Sequence, residues 1–140
     1  MSDWTYNGEP FTDPGDAFGF IYMMTCISNE KRYIGRKLFT AAAHRQVKGK
    51  KKKYRKDSGW KDYWSSSDEV KADVSRYGKD MFTRVILYLC HSKSEMTYLE
   101  NYAIFTHHAL IRTDYYNQWL TARVRKSNLL KTKLPQLLFT

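Results

Sequence analysis

The sequence predicts a small α/β (α+β) domain in which an antiparallel three-stranded sheet is flanked by helices. The apolar, aromatic-rich run 19–26, a short turn and the returning run 32–36 form the pattern of a β-hairpin. A second β-rich run, 82–90, predicts the third strand. Two capping-box patterns, 66–69 and 92–95, each precede residues with helical periodicity and therefore predict two helix N-termini.

The length indicates one domain, and the cysteine content indicates that its thiols are reduced. A chain of 140 residues is expected to bury its core without the help of a disulfide. Cys26 and Cys90 each lie in an apolar run, which favours reduced core thiols in a cytoplasmic protein. Residues 1–18 contain no apolar segment of a signal peptide, and no stretch reaches the roughly 18 apolar residues that span a bilayer. We therefore expect no membrane association.

The remaining segments complete the predicted domain plan. Residues 1–18 are expected to be an irregular arm because glycines and prolines interrupt them. The domain proper covers 19–120 and contains a basic insertion at 48–59. Residues 38–47 predict a short helix because they include three consecutive alanines. Residues 121–140 predict a basic helical tail, since apolar residues recur there at helical spacing between arginines and lysines.

The net charge is the strongest functional signal in the composition. Lysine and arginine number 24 against 14 acidic residues, which gives a formal charge of +10 at pH 7. This balance indicates a polyanionic partner, and DNA, RNA and an anionic lipid surface all fit it. In residues 48–56, seven of nine residues are basic. Because like charges repel one another, a solvated loop is predicted there.

Glu100 is the polar exception on an apolar helix face. The second capping box begins a helix that is predicted to reach about His107. At 100° per residue, Glu100 shares one face with the following apolar residues: Met96, Leu99, Ala103 and Ile104. A carboxylate on a core-facing stripe costs several kcal/mol unless it has a partner. Two interpretations remain open, namely a salt bridge at the edge of the core and a metal ligand at the mouth of a cleft.

Several short motifs resemble one family. Phe20-Ile21-Tyr22 followed by Tyr33-Ile34-Gly35 resembles the two halves of the motif that gives the GIY-YIG endonucleases their name, with Phe20 in place of the first glycine. Glu100, on a helix after the third strand, is similar in position to the metal-binding glutamate of that family. Asn117, in Tyr-Tyr-Asn, resembles the asparagine near the end of many of these domains.

A second set of motifs narrows the resemblance to one branch. The segment 60–67, with an aromatic and paired serines, is followed by Tyr77-Gly78-Lys79 and then by Phe82 at the start of the third strand. This order is similar to the stand-alone, Seg-like homing endonucleases that are common in bacteriophage genomes. The resemblance covers about residues 18–120.

The resemblance implies an endonuclease that hydrolyses phosphodiester bonds in DNA with Mg²⁺ (or Mn²⁺). Glu100 would be the metal ligand. Tyr22 would be the general base or would orient the attacking water, and a base role requires that nearby cations, Lys37 and Arg45, lower its pKa. Tyr33 would hold the water or the phosphate. Arg45, on the predicted helix after the second half-motif, would bind the non-bridging phosphate oxygens.

Some of these assignments stay open. Arg36 and Lys37 are alternatives to Arg45 as the catalytic cation, and Asn117 is expected to orient the site. The residues expected to contact DNA phosphates, without reading sequence, are Arg36, Lys48, Lys50, Lys51, Lys52, Lys53, Arg55, Lys56, Arg123 and Arg125. The expected location is the cytoplasm, that of the host cell if the gene belongs to a phage. The oligomeric state is open, with a homodimer on DNA as one option.

Two other classes of function fit the same features. The first is a non-catalytic nucleic-acid-binding protein that keeps the nuclease fold. The second is a structural protein of a phage particle whose charge contacts the packaged genome. Within the nuclease interpretation, a homing, a defence and a repair role all remain open.

Overall fold

A five-stranded mixed sheet forms the centre of the structure, a computed structural model that describes residues 3–120, 123 and 125–129. The strands are β1 (Trp4–Tyr6), β2 (Glu9–Pro10), β3 (Gly19–Cys26), β4 (Arg32–Leu38), β5 (Thr40–Val47), β6 (Lys50–Asp57) and β7 (Phe82–Cys90). The sheet has the order β2-β1-β7-β3-β4, and β5 and β6 form a separate hairpin. Strand β3 is antiparallel to both β4 and β7, whereas β1 is parallel to β7.

The predicted strands are confirmed, but the sheet is larger than predicted. Strands β3 and β7 have the predicted bounds, and β4 extends two residues beyond the predicted end at Arg36. The expectation of three strands is wrong, because the N-terminal segment that was expected to be irregular adds β1 and β2. Trp4 explains this difference. Its side chain is only 2% exposed, and its ring centre lies 4.9 Å from that of Phe20.

Both predicted helices form, each with a serine cap. They are α1 (Asp68–Tyr77) and α2 (Lys93–Thr106). The Ser92 hydroxyl accepts a hydrogen bond from the Glu95 N–H at 3.1 Å, as the capping box predicts. The cap of α1 is Ser67, one residue later than predicted. Gly78 ends α1 with φ of 93°, a conformation that favours glycine.

The sheet separates two apolar layers. Alternate residues of β3 point to opposite faces, so Phe20 and Tyr22 join Trp60 on the α1 side, and Ile21 packs with Leu99 on the α2 side. The two cysteines are free and buried, as expected. Within the residues that the structure describes, no helix is long and apolar enough to span a membrane.

The hairpin of β5 and β6 corrects two predictions. Residues 38–47 were expected to form a helix and 48–56 a loop, but eight cross-strand pairs join β5 to β6. Alanine gains less than 1 kcal/mol per residue as a helix former, and the paired strand satisfies the same backbone groups. Lys48 and Gly49 have φ of 52° and 77° and form the two-residue turn. A Lys-Gly pair between two runs of equal length was therefore the signal for this hairpin.

Most of the predicted C-terminal helix cannot be compared with the structure. Val124 and residues 130–140 lie outside the described residues. Trp119 and Leu120 are in irregular structure, and Lys126–Asn128 form a single 3₁₀ turn.

Candidate active site

A cleft of about 520 Å³ opens along β4, between the first turn of α1 and one face of α2. Its walls come from the end of the hairpin motif, from the paired serines and from the Asn117 segment. The lining residues are Tyr33, Ile34, Arg36, Ser66, Ser67, Asp68, Glu69, Glu100, Ile104, Tyr116, Asn117, Gln118, Trp119 and Leu120. Motifs that are far apart in the sequence therefore meet at one edge of the sheet.

Glu100 lies at the mouth of this cleft beside a cation. Its side chain is 20% exposed, and its Oε1 lies 3.8 Å from Nε of Arg36. Burial raises the pKa of the Glu100 carboxyl, and the charge of Arg36 opposes that rise. The structure thus combines features of both interpretations of Glu100, since the carboxylate has an ion-pair partner and also faces an open cleft.

The two hairpin tyrosines share a face of the sheet, as predicted, but differ in exposure. Tyr22 lies opposite Gly35 and Tyr33 opposite Met24, and the two phenol rings are 6.1 Å apart. Tyr33 lines the cleft, whereas Tyr22 is completely buried. Only the Tyr33 hydroxyl is therefore placed to meet a molecule in the cleft.

The electrostatic surroundings of both phenols differ from the prediction. Burial raises the pKa of Tyr22 well above its usual value, and the neighbouring Tyr63 adds to this rise. Burial also raises the pKa of Tyr33, a hydrogen bond with Ser66 opposes the rise, and the charge of Glu100 adds to it. The condition for a base role of Tyr22, a pKa lowered by nearby cations, is therefore not met. Desolvation outweighs any cation here because the phenol has no contact with water.

Gly35 permits the close packing of the two phenols. A Cβ atom at this position would lie 2.6 Å from Cζ of Tyr22 and 2.8 Å from Cε2 of Tyr33. Real Cβ atoms do not approach other carbons so closely, because interiors are packed to van der Waals contact. Glycine at this position of the motif is thus explained by the space that the Tyr22 ring occupies.

Three hydroxyl groups for which no role was predicted surround the phenols. The Tyr22 hydroxyl forms hydrogen bonds with the side chains of Ser65 and Tyr63, and the Tyr33 hydroxyl with those of Ser65 and Ser66. Ser65 is 3% exposed and has φ of 83°, a strained conformation for a residue with a side chain. The paired serines were noted only as part of the family pattern, and their position before a helix was the signal for this role.

A buried arginine holds the segment that carries these hydroxyls. Arg84, in β7, donates hydrogen bonds from Nη1 to the carbonyl oxygens of Lys61 at 3.0 Å and Tyr63 at 2.9 Å. Its guanidinium lies 4.0 Å from the ring of Trp64 and 4.7 Å from that of Trp4. Burial lowers the pKa of Arg84 to about 10. Arg84 therefore fixes the segment before α1 against the sheet.

Asn117 fixes the edge strand and also lines the cleft. Its Oδ1 accepts a hydrogen bond from the Ile34 N–H at 3.0 Å, and its Nδ2 donates one to the Ile34 carbonyl at 2.8 Å. The preceding Tyr116 N–H donates to the carbonyl of Arg32 at 2.7 Å. The Asn117 amide thus continues the backbone pairing along β4, on which Tyr33 and Arg36 lie. This geometry fits the orienting role that was expected for Asn117.

The three candidate cations occupy different places. Arg36 lines the cleft beside Glu100. Lys37 points to the other face, where its Nζ lies 4.4 Å from the centre of the Tyr63 ring. Arg45 lies on an exposed strand, opposite Lys52, rather than on the predicted helix. Arg36 is the only arginine among the described residues that line the cleft.

The predicted phosphate contacts lie mainly on the hairpin. All residues of β6 are exposed, as is Lys48 in the turn. Arg123 and Arg125 are also exposed. These side chains are therefore accessible to a polyanion.

The donor set of the cleft fits a hydrated Mg²⁺ better than a metal with several protein ligands. Within residues 3–120, 123 and 125–129, no three His, Cys, Asp or Glu side chains form a group that could hold a metal. Magnesium usually keeps several waters and binds through one or two carboxylates and the substrate phosphate. Glu100 fits this requirement, because it is partly buried at the mouth of an open cleft whose other two lining carboxylates, Asp68 and Glu69, are exposed.

The paired hairpin tyrosines, the glutamate of the second helix and the asparagine on the edge strand together define a GIY-YIG endonuclease domain. The family model described as "Putative endonuclease segE, GIY-YIG domain" matches residues 4–120. The chain therefore belongs to the SegE GIY-YIG family. The match begins at Trp4, so the N-terminal strands belong to the domain. Neither the curated proteins nor the solved structures gave a match.

Proposed function

We propose that this protein is a Mg²⁺- (or Mn²⁺-) dependent endonuclease that hydrolyses phosphodiester bonds of DNA in the cleft along β4. One observation carries the proposal: Glu100, Arg36 and Tyr33 line the same open cleft. Hydrolysis of a phosphodiester requires a positioned water, neutralisation of the phosphate charge and stabilisation of the leaving oxygen. Membership of the family supports this reaction class.

Arg36 would bind the phosphate. A guanidinium can donate two parallel hydrogen bonds to the non-bridging oxygens, which fixes their orientation as well as their charge. The side chain is 40% exposed, so its contact with Glu100 is worth at most about 1 kcal/mol. Nη1 of Arg36 also donates a hydrogen bond to the Thr97 hydroxyl at 2.9 Å, and this contact is exposed too. Arg36 would therefore give up two exposed contacts when it turns to an incoming phosphate.

Glu100 would hold the metal. Its partial burial raises its pKa, which shows that the ionised carboxylate lacks part of its hydration and gains from a cation beside it. When bound, the ion would supply Lewis-acid stabilisation of charge on the leaving oxygen. The α2 helix and its Ser92 cap would keep the carboxylate in place.

Tyr33 would position the attacking water through a neutral hydroxyl. Burial raises its pKa, which favours the neutral hydroxyl, and the open cleft allows the proton of the water to pass to the solvent. Tyr22 would act from behind, because its buried ring supports the Tyr33 ring and cannot reach the cleft. Tyr22 is thus a positioning residue.

Relaxation of a supercoiled plasmid tests this function. We expect the wild type to nick the plasmid in Mg²⁺, with no activity in EDTA, and Glu100→Gln to cut at least about 100-fold more slowly while it still binds DNA. The matched control is Glu95→Gln, because Glu95 is a carboxylate of the same helix that pairs with His91 outside the cleft. It should cut at the wild-type rate. Equal cutting by Glu100→Gln and the wild type would contradict the proposal.

A non-catalytic nucleic-acid-binding protein is the second candidate. The contact between Arg36 and Glu100 favours it, since an ion pair explains the carboxylate without any metal. This candidate predicts that pure wild-type protein binds the plasmid and never nicks it. The same assay therefore separates the two functions.

A further inference from the structure

The hairpin of β5 and β6, which we name the basic arm, holds the excess positive charge of the protein. Eight of the 24 lysines and arginines lie in residues 45–56, a segment without any acidic residue. The rest of the chain then has 16 basic residues against 14 acidic ones. The attraction of this protein for a polyanion is consequently concentrated in the basic arm.

Most of the basic arm is exposed to solvent. All eight residues of β6 are exposed, and so are the last four of β5. Arg45 lies directly opposite Lys52, and like charges in that position destabilise a ribbon. A two-stranded hairpin is only marginally stable by itself. Neutralisation by phosphates would remove this repulsion, so the composition fits a polyanion-binding element.

The base of the arm is firmly attached to the sheet. Phe39, the single residue between β4 and β5, is 2% exposed, and its ring centre lies 5.1 Å from that of Trp60. The Ser58 hydroxyl, just beyond β6, donates to the carbonyl of Leu38 in β4 at 2.6 Å. The arm therefore starts at a fixed point on the strand that also carries Tyr33 and Arg36.

A second cleft connects the base of the arm with the active site. It has a volume of about 410 Å³ and contains Lys37, Lys93 and Thr40. Arg36 lines this cleft as well as the cleft of Glu100. Lys93 and Arg36 thus place two cationic side chains between the base of the basic arm and the proposed catalytic carboxylate.

We propose that the basic arm binds in the major groove of duplex DNA and that the second cleft guides the adjacent phosphate backbone toward Glu100. At about 3.4 Å per residue, an eight-residue ribbon is about 27 Å long. The major groove is about 12 Å wide and admits a two-stranded ribbon. Both faces of the arm carry cations, with Lys50 and Lys52 on one and Lys51 and Lys53 on the other. This inference rests on the proposed function for the identity of the ligand.

Binding of a labelled duplex by fluorescence anisotropy tests the arm. All proteins carry Glu100→Gln so that the DNA stays intact. The arm variant is Lys51→Gln/Lys53→Gln, and its charge-matched control is Lys71→Gln/Arg76→Gln on the exposed surface of α1. We expect the arm variant to bind about tenfold more weakly, with a salt slope lower by about 1.8, and the control to bind like its parent. The four side chains are exposed, so unfolding temperatures should not change.

Blocking each groove tests the binding mode. Bulky substituents at C5 of the pyrimidines fill the major groove. They should lower the affinity of the parent protein, Glu100→Gln, for DNA to that of the arm variant. Netropsin, which fills the minor groove, should leave the affinity unchanged. The parent protein should bind duplex RNA about as weakly as the arm variant binds duplex DNA, because the major groove of RNA is too narrow for side chains.

Three results would overturn the arm proposal: an arm variant that binds like the control, displacement by netropsin, or equal affinity for duplex RNA. Anionic vesicles that compete with DNA for the parent but not for the arm variant would assign the arm to a membrane instead. Failure of the proposed function is separate. If the wild type never nicks a plasmid but the binding results above hold, only the catalytic proposal is refuted. If the wild type nicks the plasmid but the arm variant binds DNA like the control, only the arm proposal is refuted.

Discussion

Nε of Arg36 lies 3.8 Å from Oε1 of Glu100, across the mouth of the cleft along β4. The two residues come from different elements, since Arg36 belongs to the hairpin and Glu100 to α2. Arg45, which was expected to be the catalytic cation, instead lies on the basic arm opposite Lys52. The structure therefore places Arg36, rather than Arg45, beside Glu100.

Arg36→Ala should abolish most of the cleavage. Loss of a phosphate-binding guanidinium removes transition-state stabilisation, and we expect a plasmid-nicking rate lower by about 100-fold or more. Arg45→Ala is the matched control and should cut within about threefold of the wild type at saturating DNA, since Arg45 is one of eight cations on the arm. A larger loss for Arg45→Ala than for Arg36→Ala would restore the original assignment.

Removal of each phenolic hydroxyl should separate catalysis from packing. Tyr33→Phe is expected to slow nicking with little change in stability, because the hydroxyl reaches the cleft. Tyr22→Phe should lower the free energy of unfolding by about 1–3 kcal/mol, because the buried partners Ser65 and Tyr63 lose a hydrogen bond. Nicking assays and urea titrations on both variants check this. A stable Tyr22→Phe that has lost all activity would point to direct chemistry by Tyr22.

The cleavage rate should show no tyrosine ionisation near neutral pH. Burial raises the pKa of both phenols above the ordinary value near 10, so their ionisation lies above the range from pH 7 to 10. Between pH 7 and 10, the nicking rates of the wild type, Tyr33→Phe and Tyr22→Phe are therefore expected to depend on pH in the same way. Such a step near pH 8, present only with the hydroxyl, would show that a phenolate is the base.

Glu100→Gln should stabilise the metal-free fold at neutral pH. Burial raises the folded-state pKa of Glu100, so the protonated form is favoured in the fold and that stability is lost as pH rises through the folded pKa. The wild type and the variant should have similar free energies of unfolding below about pH 4, and the variant should be more stable at pH 7. Urea titrations in EDTA at both pH values measure this. A variant that is less stable at pH 7 would show that the ion pair with Arg36 dominates.

Gly35→Ala should disturb the phenols. The new Cβ would lie 2.6 Å from Cζ of Tyr22, and such overpacking costs about 1–3 kcal/mol of stability. Because the closest clash is with the Tyr22 side chain, the effect should be smaller in a Tyr22→Ala background than in the wild type. Thermal unfolding of the single and double variants measures the coupling. Strictly additive effects would show that the backbone, and not Tyr22, requires glycine.

Asn117→Ala should loosen the edge strand. The substitution removes both hydrogen bonds to Ile34, so hydrogen exchange at the Ile34 amide should become faster while amides in β7 keep their protection. Nicking should fall as well, because Tyr33 and Arg36 lie on this strand. Unchanged exchange at Ile34 combined with lost nicking would assign Asn117 a direct role in the chemistry.

Local patterns predicted the elements whose structure depends on local chemistry. Strands β3 and β7 follow from their apolar runs, and Ser92 caps α2 because its hydroxyl reaches an N–H three residues ahead. Strand β1 was missed because its three residues gain their stability from the burial of Trp4, which depends on distant partners. The alignment of Glu100 with the apolar face of its helix also revealed the candidate site before any fold was known.

The proposed phosphate-binding cation, Arg36, could be chosen only once the fold was known. The alanines before Arg45 favour a helix by propensity, but pairing with β6 is a long-range choice that propensity does not include. Once residues 40–47 form a strand, the helix that was expected to carry an arginine toward the site no longer exists. The proximity of Arg36 to Glu100 arises from packing of α2 on β4, which the sequence does not state directly.

A crystal structure of Arg36→Ala with duplex DNA and Mn²⁺ tests the central claim most directly, because anomalous scattering locates the ion without assumptions. The account predicts an ion bound to the Glu100 carboxylate and to a phosphate oxygen of the DNA, at about 2.2 Å from each, in the cleft along β4. An ion at another position, or a DNA backbone that passes outside this cleft while Glu100 binds no ion, would contradict it.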